Sequence, residues 1–257
     1  MKVINFNVTS LRAILEKNRN YFLENKDTIF ILQEPKMKEP YYYTAIMSGK
    51  EILKYEKSLK NKKQSKKLKH YGYSLASGYF CVRELLGVRF ISIYMPYANP
   101  KIEKRILERE EFENEINILL YNTTDNSKMP IIIGADYNPM DAKKSEYFGR
   151  ASSFHEDFFN MLKELNLVDI YSYFDNKDSI NKDFKKIDFK EFEKDFYVTK
   201  KTWFRSEKDK IDINSGKGSD LDYILVSEKI KENITDVIIN YNVQKYDHQP
   251  IEIQLEI

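Results

Sequence analysis

Asn7, Glu34, Asp136, Asn138 and His248 each stand where a run of apolar residues begins or stops. "KVINFN" ends in Asn7, "TIFILQE" in Glu34, and "MPIIIGADYN" in Asp136 and Asn138. "YDHQP" places His248 just ahead of the closing run "IEIQLEI". Glutamate and aspartate supply hard anionic oxygens of the kind that Mg²⁺ or Mn²⁺ prefers. Amides beside them orient ligand oxygens without overloading the site with charge, and a histidine can carry a positive charge near neutral pH. The set suits an oxygen-bound divalent cation that handles phosphate. Singly, each residue has an ordinary explanation: a strand-end amide, half of a salt bridge, an Asx turn before Pro139. Their combination points to chemistry.

The same residues exclude other chemistries. The chain has three histidines, His70, His155 and His248, and one cysteine, Cys81, with no zinc-type spacing among them. Neither a "GxxxxGK[ST]" loop nor a "GxGxxG" stretch is present, which argues against nucleotide sites of those types.

Elements that could hold such a set are readable from periodicity. "KVINFNV" reads as a strand, and "SLRAILEKNRNYFLEN" as an amphipathic helix with Ser10 as N-cap. "TIFILQE" and "MPIIIGADYNP" are apolar runs of the kind buried on both faces. "YFCVREL" and "VRFISIYMP" form a pair closed by Pro96. "IEKRILEREEFENEINILLYN" and "SFHEDFFNMLKELNLVDIY" are expected helices, and "SDLDYILVS", "ITDVIINYNV" and "QPIEIQLEI" expected strands. The polar strand ends can then converge on one rim of a layered sheet structure.

The 257 residues carry 42 basic and 40 acidic side chains, a net charge of +2, and are 42% hydrophobic. That suffices for one substantial core, and a single domain over 1–257 is expected. Near-neutral charge argues against wholesale coating of nucleic acid but allows a local basic face. No run is long and apolar enough for a membrane helix, no signal-peptide core opens the chain, and a single cysteine fits a reducing compartment. An intracellular protein, cytoplasmic or nuclear, without a membrane role is the expectation. Two stretches break the pattern and read as insertions, 54–70 and 175–200. The first carries eight lysines against one glutamate across "KYEKSLKNKKQSKKLKH", which makes Lys62, Lys63, Lys66 and Lys67 candidate phosphate-backbone contacts.

In order along the chain stand "NFNVTSLRA" (5–13), "LQEPK" (32–36), "IYMP" (93–96), "GADYNP" (134–139), "TW" (202–203), "LDYILVS" (221–227) and "YDHQPI" (246–251). Together they resemble the exonuclease–endonuclease–phosphatase superfamily, and within it exonuclease III-type apurinic/apyrimidinic endonucleases and LINE-retrotransposon endonucleases. The resemblance implies a DNase I-like four-layer α/β sandwich, two packed and mainly antiparallel sheets flanked by helices. It also implies Mg²⁺ or Mn²⁺ and hydrolysis of a phosphate ester. By the same resemblance Asn7, Glu34 and Asp247 belong to the metal site, and Asp136 and Asn138 to the D-x-N pair that positions or deprotonates the attacking water. Tyr94 is a phosphate donor, Asp222 orients His248, and His248 contacts the phosphate. Trp203 and Arg205 join the lysines as candidate nucleic-acid contacts.

The chain departs from that pattern at Thr9, where an Asn or Asp is usual, and over 71–79, "YGYSLASGY", which lacks the usual "GVAL" hairpin. It also has Asp220 where a basic residue is common, and Tyr246 in place of Ser. The catalytic set is spared. The expected activity is a metal-dependent DNA endonuclease of abasic-site or nicking type, a monomer with no obligate protein partner, acting on intact, abasic or nicked duplex DNA. The alternatives are a phosphatase or RNA-directed nuclease on the same scaffold, or a catalytically silent nucleic-acid-binding module.

Overall fold

The central strands carry apolar residues on both faces because both faces are covered. The computed structural model describes residues 1–37, 43–59, 73–75, 79–97, 102–124, 129–138, 163–170, 173, 202–203, 221–243 and 246–256. The elements run β1 (Lys2–Asn7), α1 (Leu11–Glu24), β2 (Ile29–Gln33), β3 (Thr44–Ser48), α2 (Gly49–Leu59), β4 (Tyr73–Leu75), β5 (Phe80–Leu85), β6 (Val88–Tyr94), α3 (Glu103–Thr124), β7 (Ile131–Asp136), β8 (Leu167–Asp169), β9 (Asp222–Ser227), α4 (Glu228–Lys231), β10 (Ile234–Ile239) and β11 (Ile251–Leu255).

The strands form two sheets, ordered β10-β11-β1-β2-β3 and β4-β5-β6-β7-β9-β8. Each sheet has one parallel pair, β1 with β2 and β6 with β7, and is otherwise antiparallel. Period-2 alternation sorts the side chains. Val3, Ile29, Ile31 and Ile46 of the first sheet meet Phe90, Ile132, Ile224 and Val226 of the second in one core between the sheets. The opposite parity of the first sheet, Ile4, Phe6, Phe30 and Leu32, packs under Leu11, Ile14 and Phe22 of α1 and Ile52 and Tyr55 of α2. On the second sheet Ile91, Ile93, Ile131 and Ile133 pack under Ile116 and Leu120 of α3. Helix, sheet, sheet, helix is the expected four-layer α/β sandwich.

Local signals explain several joins. Ser10 accepts the Ala13 N–H at 3.4 Å and caps α1 as its position predicts. Leu86 and Gly87, both with positive φ, make the two-residue turn that closes β5 onto β6 in the register Leu85 to Val88.

Two expectations are corrected. The helix expected to run through "NLVDIY" has given way by Leu167, because Asn166 adopts positive φ and Leu167–Asp169 pairs antiparallel with Ser227, Val226 and Leu225. Its earlier part, 153–162, lies outside the described residues. Lys54–Leu59, assigned from sequence to a loop insertion, are the last turns of α2, where Tyr55 and Glu56 are buried. The remainder of that insertion, 60–70, and the second insertion, 175–200, lie outside the described residues.

Between the sheets the buried face changes character along the strands. Beyond the apolar residues comes a layer of amide, hydroxyl and bare backbone: Asn5, Gln33, Ser92 and Gly134. Gln33 Nε2 lies within hydrogen-bonding reach of Asn5 Oδ1 (2.9 Å), Ser92 Oγ (3.1 Å) and the Gly134 carbonyl (3.2 Å). Asn5 Nδ2 reaches the Tyr223 carbonyl at 3.1 Å, and Ser92 Oγ donates to the Leu32 carbonyl at 2.9 Å. Apart from the Gln33–Asn5 bond, which joins β2 to β1 within the first sheet, these bonds run from one sheet to the other. Gly134 is required by space here, since a Cβ would overlap Asn5 Oδ1 and come 2.7 Å from Ile31 Cγ2. Gly134→Ala should therefore destabilise the fold by about 1–3 kcal/mol, the scale of overpacking a close-packed core. Urea unfolding checks this, and an unchanged midpoint would contradict the tight inter-sheet contact.

Candidate active site

One residue further along the same buried face, the polar layer becomes acidic. Tyr94, Asp136 and Asp222 are direct neighbours on β6, β7 and β9, since Tyr94 registers with Asp136 and Asp136 with Asp222. Asn7, at the end of β1, faces them from the other sheet. Its Nδ2 donates to Asp136 Oδ2 at 2.6 Å and to Glu34 Oε1 at 3.1 Å, so one amide joins the two carboxylates. Its Oδ1 accepts the Thr9 N–H at 2.9 Å. Glu34 Oε2 faces a cation already, the Lys36 ammonium at 2.9 Å.

The backbone is strained around this set. Among the described residues six non-glycines have positive φ, and four of them, Thr9, Glu34, Lys36 and Asn138, surround the acids. Such conformations cost of order 1–3 kcal/mol each and persist where the surroundings hold them. The Glu34 N–H is held by the Tyr43 carbonyl at 2.7 Å. Asn138 is held twice, by its N–H on Asp136 Oδ1 at 3.2 Å and by its Nδ2 on the Met95 carbonyl at 2.9 Å.

His248 completes the group from the chain ahead of β11. It is buried, its Nδ1 lies 2.9 Å from Asp222 Oδ2, and its N–H donates to Asp247 Oδ1 at 3.2 Å. Asp247 itself is exposed. Burial opposes a charge on the imidazole, but Asp222, then Asp136 and Asp247, outweigh it and push His248 up to about 10. With Nδ1 turned to Asp222, Nε2 remains as the second donor. Burial, reinforced by Asp222 and Glu34 against the opposing His248 charge and Asn7 hydrogen bond, pushes Asp136 up to about 7. Burial first, and then the Glu34 and Asp136 carboxylates, push the Tyr94 phenol well above its ordinary value, so it stays a donor.

Asp136, Asp222 and His248 each offer a ligand atom within 4.8 Å of the others, which makes them a possible metal site among the described residues. The donor chemistry divides this trio. His248 would ligate only as the neutral imidazole and its Nδ1 is already turned to Asp222, whereas Asp222 Oδ1 is buried with no hydrogen-bond partner among the described residues, an acceptor open to a donor or a cation. The carboxylate oxygens of Asp136 and Asp222 suit a hard divalent ion, and Glu34 stands beyond them, joined to Asp136 through the Asn7 amide.

Three contributors escaped the sequence reading. Thr202 Oγ1 accepts the N–H groups of Leu221 and Asp222 at 3.1 and 3.0 Å, and its carbonyl accepts the Gln249 N–H at 2.6 Å. It thereby ties the Asp222 strand to the His248 segment, and Trp203, partly buried, forms a backbone bridge with His248. Arg109 is buried on α3 and donates to the carbonyls of Pro96 (2.8 Å), Tyr137 (2.8 Å) and Asn138 (3.3 Å), the segments that follow Tyr94 and Asp136. Its signal was the 3-4 spacing Ile106, Arg109, Glu113, Ile116, Leu120, a buried stripe with a charged pair inside it. Lys36 was the third, legible only as the end of "LQEPK". Of the candidate nucleic-acid contacts, Lys62, Lys63, Lys66, Lys67 and Arg205 lie outside the described residues.

No family model matches the chain. A curated relative, the exodeoxyribonuclease of Bacillus subtilis (strain 168), is 25% identical over 281 residues and covers the whole of both chains. The structure of an AP endonuclease from Archaeoglobus fulgidus matches with a TM-score of 0.65 and 16% identity, again over the whole of both chains. A 3′ phosphatase from Neisseria, bound to product DNA hairpin, matches with a TM-score of 0.61 and 17% identity over the same full extent. In its two packed sheets and its flanking helices, the chain has the DNase I-like four-layer fold of these structures.

Proposed function

We propose that this protein is a divalent-metal-dependent phosphodiesterase that cleaves the DNA backbone, as an endonuclease of abasic-site or nicking type. The observation that carries the reading is the row Tyr94–Asp136–Asp222 on one sheet, capped by His248 and faced by Asn7 and Glu34 from the other. Asp136, pushed up to about 7, is a base matched to neutral pH and takes the proton of the attacking water. Asn7 and the Asn138 N–H fix its carboxylate for that task. Tyr94 donates to a non-bridging phosphate oxygen. His248, kept charged by Asp222, stabilises the negative charge that grows on the phosphorus oxygens as water adds. Mg²⁺ or Mn²⁺ on the oxygens of Glu34 and its neighbours would neutralise phosphate charge and act as a Lewis acid. Lys36, whose ammonium lies on Glu34 Oε2, is a further cation at the site for the phosphate.

The similar proteins include an exodeoxyribonuclease, an AP endonuclease and a 3′ phosphatase, so one such site is compatible with internal or terminal phosphate esters. A substrate panel decides among them. Supercoiled plasmid, an abasic-site duplex, a duplex with a 3′-phosphate, single-stranded RNA and a small phosphomonoester are incubated with Mg²⁺, with and without EDTA. DNA cleavage abolished by EDTA and restored by Mg²⁺ or Mn²⁺ is expected. Cleavage confined to the phosphomonoester or RNA, or full activity in EDTA, would contradict the reading.

The Asp222–His248 pair makes a second prediction with two readouts. His248→Ala should lower single-turnover cleavage at least about 10²-fold, the scale of one lost transition-state donor. Asp222→Asn should be severe too, and the double variant far less than additive, because the two act as one unit. The pair also gives stability a pH signature. His248 is raised above its unfolded value of about 6.5, so its contribution is fully present below that pH and lost as pH rises through about 10. The melting temperature of wild type should therefore fall relative to His248→Ala across this window. Parallel pH curves for the two proteins would show that the imidazole is not held charged.

A further inference from the structure

Tyr79, just ahead of β5, stacks on a tyrosine of the other sheet. The Tyr43 and Tyr79 rings lie 4.3 Å apart, 14° from parallel. Tyr94 joins them, 5.7 Å from each and within 14° of both planes. Tyr43 immediately precedes β3 in the first sheet, and Tyr79 immediately precedes β5 in the second, so the stack spans the sheets at the mouth of the site.

Backbone bonds connect each ring to a site residue. The Tyr43 carbonyl accepts the N–H of Glu34, and the Tyr79 carbonyl accepts the N–H of Tyr94 at 3.0 Å. Tyr43 thus grips Glu34 by its main chain and Tyr94 by its ring. Tyr79 grips Tyr94 by both, and is itself wedged edge-on against Phe112 of α3 at 4.9 Å. Glu34 is strained at positive φ just past the end of β2 and its N–H is held by Tyr43, so a displacement of Tyr43 acts on the Glu34 main chain directly.

We propose that Tyr43 and Tyr79 are positioning residues, an aromatic clamp between the sheets that sets Glu34 and Tyr94 at a fixed separation. The clamp takes the roles of Glu34 and Tyr94 from the phosphodiesterase reading, but its own evidence is ring and backbone geometry. Stacked phenols contribute packing beyond area burial, and the planar rings leave Glu34 and Tyr94 little independent movement. The expected result of breaking the stack is weakened metal binding and slower chemistry with the fold intact, as for residues that support metal ligands.

The test compares leucine and phenylalanine at both positions. Without metal or substrate, the amide resonances of Glu34 and Tyr94 report the clamp by ¹H–¹⁵N spectroscopy. Tyr79→Leu should move the Glu34 amide, which lies in the opposite sheet, and Tyr43→Leu the Tyr94 amide. Tyr43→Phe and Tyr79→Phe should leave both near their wild-type positions. Mn²⁺ affinity, read by paramagnetic resonance, should fall about 10-fold or more in the leucine variants, with kcat reduced and KM little changed. If Tyr79→Leu proves too unstable, Tyr43→Leu carries the same test from the other sheet. Leucine variants that leave the opposite-sheet amide unmoved would overturn the clamp. Equal losses in phenylalanine and leucine variants would also overturn it, assigning the effect to the hydroxyls. Wild-type protein that neither binds Mn²⁺ nor cleaves DNA would refute the functional reading alone, and the amide shifts would still decide the clamp.

Discussion

Gln33 is the hinge of this structure. Its side-chain nitrogen lies between the sheets within reach of Asn5, Ser92 and the Gly134 carbonyl, and few alternative registers could satisfy those groups. Apolar faces alone would let two twisted sheets slide, because hydrophobic burial has no direction. A buried donor and its acceptors do not slide, because an unmet partner costs about 1–3 kcal/mol. The amide layer therefore fixes where β1 and β2 lie against β6 and β7. It also fixes the residues one step further along the same face: Asn7 and Glu34 on one side, Tyr94 and Asp136 on the other.

Held in that register, the rim is an arrangement that stability alone would not select. Asp136 and Asp222 are adjacent carboxylates, both buried, and burial beside a second carboxylate disfavours the charge on Asp136. Part of the repulsion is relieved from within, by the His248 cation and by the Asn7 amide. The rest is what a divalent ion would relieve. Lys36 on Glu34, and an Asp222 Oδ1 that no described residue bonds, mark where positive charge is in demand. Strain at Thr9, Glu34, Lys36 and Asn138 adds to the cost. Giving up stability on one rim is what a functional site is expected to do, and it supports the proposed reading of this one.

The rim was legible in the sequence because it lies where apolar runs stop. "TIFILQE" and "MPIIIGADYN" cannot continue as strands buried on both faces beyond their acids, so Glu34 and Asp136 had to emerge at strand ends. The row Tyr94–Asp136–Asp222 was not legible as a row, since register depends on pairing that no local pattern encodes. Asn5, Gln33 and Ser92 looked like incidental polar residues within strands, for their partners lie on the other sheet. "TAIMS" has too little β-branched character to announce β3, and the lysines of α2 masked its buried face at Ile52 and Tyr55. "NLVDIY" carries apolar spacing compatible with helix or strand, and the edge of β9 decided it. Arg109 is a charge within a buried helical stripe, and its carbonyl partners come from segments that only the fold brings near.

On the proposed reading, acids from the two sheets would hold the ion, with His248 beside it as a charged donor. Crystals soaked in Mn²⁺ and measured at its absorption edge would locate the ion directly by anomalous scattering. The predicted result is Mn²⁺ on carboxylate oxygen of Glu34, with the His248 imidazole still paired to Asp222 and uncoordinated. Mn²⁺ bound to a His248 nitrogen, with Glu34 left on Lys36, would contradict it.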